Sequence, residues 1–144
     1  MTANGPVASG DLFVFYGLLK RGASGMPADI DLDAAGDFGA PARFRGRMVD
    51  LGGFPGVVDG KTLCHGVRYR IGDTSIIPTL DAFEETSPDN PALALYERRR
   101  IPLLDDLGAP TGETAWIYWY LKDVDPYTDV ANGDWPLEAG RTRK

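Results

Sequence analysis

Five successive large apolar or aromatic residues, Leu12 to Tyr16, stop abruptly at Gly17. A short continuous run of this kind, with no polar alternation, reads as a strand buried on both faces. The rest of the chain must therefore supply cover for both sides of that strand. Leu63 to Ile71 alternates instead, with Leu63, His65, Val67 and Tyr69 on one face and Cys64, Arg68 and Arg70 on the other. Thr114 to Leu121 is an aromatic strand carrying Trp116, Tyr118 and Tyr120 on one face. Ala42 to Leu51 and Leu95 to Leu104 have strand composition, and a helix is expected around residues 76 to 86. Between these lie turn and loop signals: Asp31 to Gly39, Gly52-Gly53-Phe54-Pro55-Gly56, Ser87-Pro88-Asp89-Asn90-Pro91 and Asp105 to Gly112. Five or six strands and few helices give an α+β fold class, most simply a small mixed β-barrel with helices packed outside.

At 144 residues and 43% hydrophobic composition, the chain suffices for one well-formed core and is too short for two ordinary domains. We read residues 1–10 as a disordered leader, 11–137 as a single domain and 138–144 as a flexible tail. A net charge of −6 argues against nucleic acid or an anionic membrane as the main partner. The one dense basic run, Arg98-Arg99-Arg100, falls in a strand, where alternate side chains face opposite sides; pairing with the surplus acids is its expected role. No apolar stretch approaches the ~20 residues that a membrane-spanning helix needs. The single cysteine, Cys64, excludes an intramolecular disulfide and fits a reducing cytoplasm.

Eliminations narrow the chemistry. One histidine and one cysteine cannot make an ordinary zinc cluster, and no calcium loop is present, so neither a metal nor another cofactor is expected. Cys64 and His65 are consecutive in a strand and point to opposite faces, which separates a nucleophile from its base. The segment Gly17 to Ser24 has the spacing of a phosphate-binding loop, but Ala23 stands where that motif requires lysine.

What remains is a carboxylate in an unusual place. In the helix, Ile77, Leu80 and Glu84 share one stripe, while Pro78, Asp81 and Glu85 form a polar neighbour. A carboxyl at the edge of a core loses hydration and its pKa rises, which suits a general base near neutral pH. The same residue could instead bend its stem over the core or pair with an arginine. Tyr16-Gly17-Leu18-Leu19, at the end of the first strand, can gather backbone N–H groups into an anion-binding nest, or it can be a plain loop.

Four stretches in order give the chain its resemblance to a known family: Phe15-Tyr16-Gly17-Leu18-Leu19-Lys20-Arg21-Gly22; Gly53-Phe54-Pro55-Gly56; Leu80-Asp81-Ala82-Phe83-Glu84 followed by Tyr96 and Arg98; and Gly133-Asp134-Trp135. Over about residues 12 to 136 the chain resembles the gamma-glutamylcyclotransferase-like family, including the gamma-glutamylamine cyclotransferases. One departure is Leu18, where the family usually has a small hydroxylated residue. Backbone donors are unaffected, but a hydroxyl contact is lost and the pocket is more apolar.

The resemblance implies a small-molecule gamma-glutamyl substrate whose own α-amine attacks its γ-carbonyl, releasing 5-oxoproline and an amine. Glu84 matches the family's acid/base glutamate. Substrate binding is expected at Tyr16, Gly17, Leu18 and Leu19, with Tyr96 and Tyr120 as further contacts or as core residues. Phe54 and Pro55 are placed at the pocket mouth, and Trp135 is expected to seal the fold. Arg43, Arg45 or another cation is left as the holder of the substrate carboxylate. A non-catalytic ligand-binding protein on the same scaffold, or a hydrolase in which Glu84 activates water, are the competing expectations.

Overall fold

The computed structural model describes residues 7–17, 31–51, 55–83 and 96–135. In chain order these form β1 (Leu12–Phe15), α1 (Leu32–Ala35), β2 (Gly36–Asp50), β3 (Pro55–Ile71), a 3-10 turn at Thr74–Ile76, α2 (Ile77–Phe83), β4 (Tyr96–Leu104), β5 (Pro110–Tyr120), β6 (Thr128–Asp129) and a second 3-10 turn at Ala131–Gly133. The strands make one six-stranded sheet in the order β3-β1-β5-β4-β2-β6, and β2 also pairs with β3. Pairing therefore runs in a cycle, but two of its links, Phe13–Trp116 and Arg43–Leu104, are single residue pairs. Links that short do not define a closed barrel. The architecture observed is a mixed α+β domain, mostly sheet with few helices.

The apolar run behaves as its composition requires. Phe13 and Phe15 enter one buried cluster with Tyr69, Trp116, Tyr118 and Tyr120, while Val14 enters a second with Phe44, Cys64 and Ile117. Antiparallel pairing with β3 from Leu12–Arg70 to Phe15–Val67 fixes the register, because a slip of one residue would exchange the two clusters. The alternation on β5 holds as well: Trp116, Tyr118 and Tyr120 belong to the first cluster, and Ala115, Ile117 and Trp119 to the second.

The expected loop at Asp31 to Gly39 is not a loop. The Asp31 carboxylate accepts from the Ala34 N–H at 3.1 Å and caps α1, and β2 begins directly at Gly36. Glycine is required there by close approach: a Cβ on Gly36 would lie 2.8 Å from the Tyr69 ring and collide with the Arg70 carbonyl. A composition that reads as a turn is here the condition for two strands to meet. Register shifts between Phe38 and Pro41 and between Gly46 and Arg47 bend β2 around the core. Likewise β3 extends back to Pro55, so Pro55 and Gly56 are strand rather than turn; Gly52, Gly53 and Phe54 lie outside the described residues.

The basic run divides as expected. Arg99 lies over Trp119 and pairs with Glu97, whereas Arg98 and Arg100 both lie over Trp116 and Arg100 reaches Asp11 at 3.4 Å. Near the end of the described chain Trp135 is buried in the second cluster, and Gly133 packs so tightly on Cys64 that a Cβ would sit 2.8 Å from its Sγ. Among the described residues no helix is long and apolar enough to cross a membrane.

Candidate active site

β1, β3, β4 and β5 bring several of the expected site residues to one end of the sheet. β1 gives way to Gly17, whose missing side chain is what lets the strand end approach β3. A Cβ there would lie 2.5 Å from Pro55 Cγ and 2.8 Å from its Cδ. The close approach that glycine permits is therefore to protein on that side. Pro55 in turn accepts, through its carbonyl oxygen, a 2.7 Å hydrogen bond from the Tyr96 hydroxyl. Tyr96 opens β4 and is paired in register with Tyr120, the last residue of β5; their rings meet edge to face at 5.3 Å. Gly56 closes the group, since a Cβ on it would be 3.0 Å from Tyr120 Cγ and 2.9 Å from Leu51 Cδ1.

The helix packs on the core cluster to which the two tyrosines belong. Asp73 caps the 3-10 turn by accepting from the Ser75 N–H at 3.0 Å, and α2 follows at Ile77. Leu80 is wholly buried in the cluster that holds Tyr96 and Tyr120, and Ile77 packs against it. The apolar members of the predicted stripe thus face that buried cluster. Glu84 follows Phe83, the last residue of α2, and lies outside the described residues, as do Leu18 and Leu19.

Tyr16 differs from Tyr96 and Tyr120. Its side chain belongs to the second cluster, its ring 6.0 Å from Phe44, and its hydroxyl donates to the Tyr118 carbonyl at 2.7 Å. That bond ties the end of β1 to β5 and sets the position from which Gly17 meets Pro55. A shallow depression of about 280 Å³ borders the site, lined by Asp50, Leu51, Pro126, Tyr127 and Thr128. Leu51 connects the two, because it also flanks Gly56 and Tyr120.

The electrostatics separate buried, inert groups from the site. Burial pushes the Cys64 thiol up to about 11, with Arg43 pulling weakly the other way, so a thiolate is scarce at neutral pH. Burial raises the Tyr120 phenol, helped by Tyr127, and keeps it a neutral hydrogen-bonding group. Arg43 is held by the carbonyls of Leu63 at 2.9 Å and Cys64 at 3.2 Å, and Arg45 by that of Lys61 at 3.1 Å. Among the described residues no three His, Cys, Asp or Glu side chains gather as a metal site. No local pattern in the sequence marks the Pro55 carbonyl or Leu51, or makes Gly56 a contact of Tyr120. Their part depends on contacts across β3, which period-two patterning does not encode.

A mixed α+β domain of this kind, mostly sheet with few helices, is already known in solved structures. The solution structure of protein ytfP from Escherichia coli superposes with a TM-score of 0.62 at 24% identity, covering 86% of this chain and 95% of that one. Residues 12–137 match the family described as gamma-glutamyl cyclotransferase, AIG2-like, and the chain belongs to that family. A Vibrio cholerae protein provisionally named gamma-glutamylcyclotransferase is 30% identical over 124 residues, 86% of this chain and 94% of its own. The gamma-glutamylcyclotransferase family protein YtfP of Escherichia coli K12 is 33% identical over 89 residues, 62% of this chain and 66% of its own.

Proposed function

We propose that this chain is a gamma-glutamylcyclotransferase in which Glu84 is the general acid and base. The family match across residues 12–137 carries the reading, and the grouping of Gly17, Pro55, Tyr96 and Tyr120 supports it. The substrate R–NH–CO–CH2–CH2–CH(NH3+)–COO− cannot cyclise while its α-amine is protonated. Glu84 takes a proton from the ammonium, the freed nitrogen attacks the γ-carbonyl, and a tetrahedral oxyanion forms. Collapse breaks the bond to the leaving nitrogen, which receives the proton from Glu84. A second proton passes from the ring nitrogen, so the products are 5-oxoproline and R–NH3+.

Because nucleophile and electrophile share one molecule, the protein supplies no nucleophile of its own. Holding the substrate in a pre-ring shape captures the advantage of an intramolecular reaction, for which effective molarities reach ~10⁵–10⁸ M. Backbone N–H groups from Gly17 to Leu19 meet the oxyanion, and Leu18 makes the neighbouring wall apolar. Tyr120 completes the pocket, while Tyr96 and Tyr16 hold its walls. The domain comprises residues 11–137, and the chemistry uses no cofactor.

Leu18 favours one other reading, a ligand-binding protein that has lost turnover. Incubation with a panel of gamma-glutamyl amines and dipeptides, read by mass spectrometry, distinguishes the possibilities. A cyclotransferase gives 5-oxoproline, a hydrolase gives glutamate, and a binding protein gives neither.

A further inference from the structure

We infer that the depression beside the site seats the leaving amine, and that it takes an amine whose chain ends in a cation and carries no carboxylate; the inference rests on the gamma-glutamyl reading. In that reading the γ-carbonyl meets backbone N–H groups that begin at Gly17, and Gly17 rests on Pro55. Pro55 is the register partner of Asp50 on β2, and Asp50 is the register partner of Thr128 on β6. The three form one row across the end of the sheet, with successive strands about 4.8 Å apart. Asp50 and Thr128 line the depression, which therefore opens within about 10 Å of Pro55. Leu51, also in its lining, makes a second connection, since Leu51 and Tyr120 both flank Gly56. The leaving nitrogen is bonded to the γ-carbonyl carbon itself, so a chain of a few atoms on that nitrogen spans the gap.

The outer wall of the depression is held in place. Val124 is buried in the first cluster, and the Tyr127 N–H donates to the Val124 carbonyl at 2.9 Å. Beyond β6 the Val130 N–H donates to the Met48 carbonyl at 2.8 Å, so the turn carrying Pro126 and Tyr127 is tied to the core at one end and to β2 at the other. Tyr127 keeps 37% of its surface exposed, and with Leu51 it offers apolar contact to a chain. A volume of about 280 Å³ lies near the lower end for small-ligand pockets and suits a short chain. Charge selects the end of that chain. Among the described residues, this stretch carries the carboxylates of Asp50, Asp123, Asp125 and Asp129 against two cations, Arg47 and Lys122, and Arg47 is paired with Asp129 at 2.8 Å. Asp50 and Lys122 have interactions of their own, and the negative excess stands whichever pairs form. Such a field repels the carboxylate of an amino-acid leaving group and attracts a distal ammonium, which the face of the Tyr127 ring also favours.

The test uses gamma-glutamyl amides of matched length whose leaving amines end in an ammonium, a methyl group or a carboxylate: butane-1,4-diamine, pentylamine and 4-aminobutanoate. Gamma-glutamyl methylamide, whose single carbon is too short to fill the depression, is the reference. Wild type at low salt should follow the order ammonium, methyl, carboxylate, with roughly tenfold in kcat/KM between the ends, and about 0.5 M sodium chloride should compress that span. Tyr127→Ala should lower the ratio of diamine amide to methylamide by roughly 2- to 5-fold, and Thr128→Arg should reverse the order of ammonium and carboxylate. Should one variant fail to melt cooperatively, the other and the salt series carry the comparison. 5-Oxoproline release that is indifferent to terminal charge, and to both variants, overturns the inference and leaves the cyclotransferase reading standing. Glutamate release in the same charge order upholds the depression and refutes the cyclotransferase reading. No product from any amide, methylamide included, refutes both.

Discussion

Tyr96 is a core residue by burial and, in the proposed reading, a wall of the site. Its hydroxyl donates to the Pro55 carbonyl in a buried setting, and removing the oxygen takes that partner away. Tyr96→Phe should therefore destabilise the fold by about 1–3 kcal/mol, the cost of an unsatisfied buried acceptor, measured by urea denaturation. Gly17 makes the complementary case. Gly17→Ala places a methyl group 2.5 Å from Pro55 Cγ and should cost about 1–3 kcal/mol with at least a tenfold loss of kcat/KM. Because the atoms it meets are the proline ring's own Cγ and Cδ, Pro55→Ala in the same chain should recover much of the lost stability. Two independently additive losses would contradict the contact.

At the scale of elements, α2 matters through Leu80, which anchors the helix in the buried cluster that includes Tyr96 and Tyr120. Leu80→Ala should cost about 2–5 kcal/mol and lower kcat even in protein that remains folded, because the segment ending at Phe83 loses its seat. Stopped-assay rates beside melting curves check both effects. This stripe was legible in the sequence: Ile77 and Leu80 face the core as helical spacing requires. The aromatic alternation of β5 and the two-sided burial of β1 were equally legible, since each is a local pattern. The strand start at Gly36 was not, because its glycine answers to Tyr69 and Arg70 on β3, more than thirty residues later.

For the whole molecule, the buried phenols make a pH prediction. Burial, with Asp33, Asp37 and other nearby acids, raises Tyr69 to about 12 from 10, and burial raises Tyr120 as well. A raised folded-state pKa gives stability that is complete below the unfolded value and lost as pH climbs towards the folded one. Urea midpoints should thus fall from about pH 10 upward, and Tyr69→Phe should start lower but decline less steeply. Family membership extends over nearly all of the described sheet, so the scaffold is more firmly fixed than the leaving amine. In the proposed function, Glu84 drives an internal cyclisation. The most direct measurement is 5-oxoproline release, by mass spectrometry, from the best gamma-glutamyl amine with wild type and Glu84→Gln matched for melting temperature. Wild type should release 5-oxoproline, and the variant should be slower by at least about 100-fold. Equal release by both proteins would contradict it.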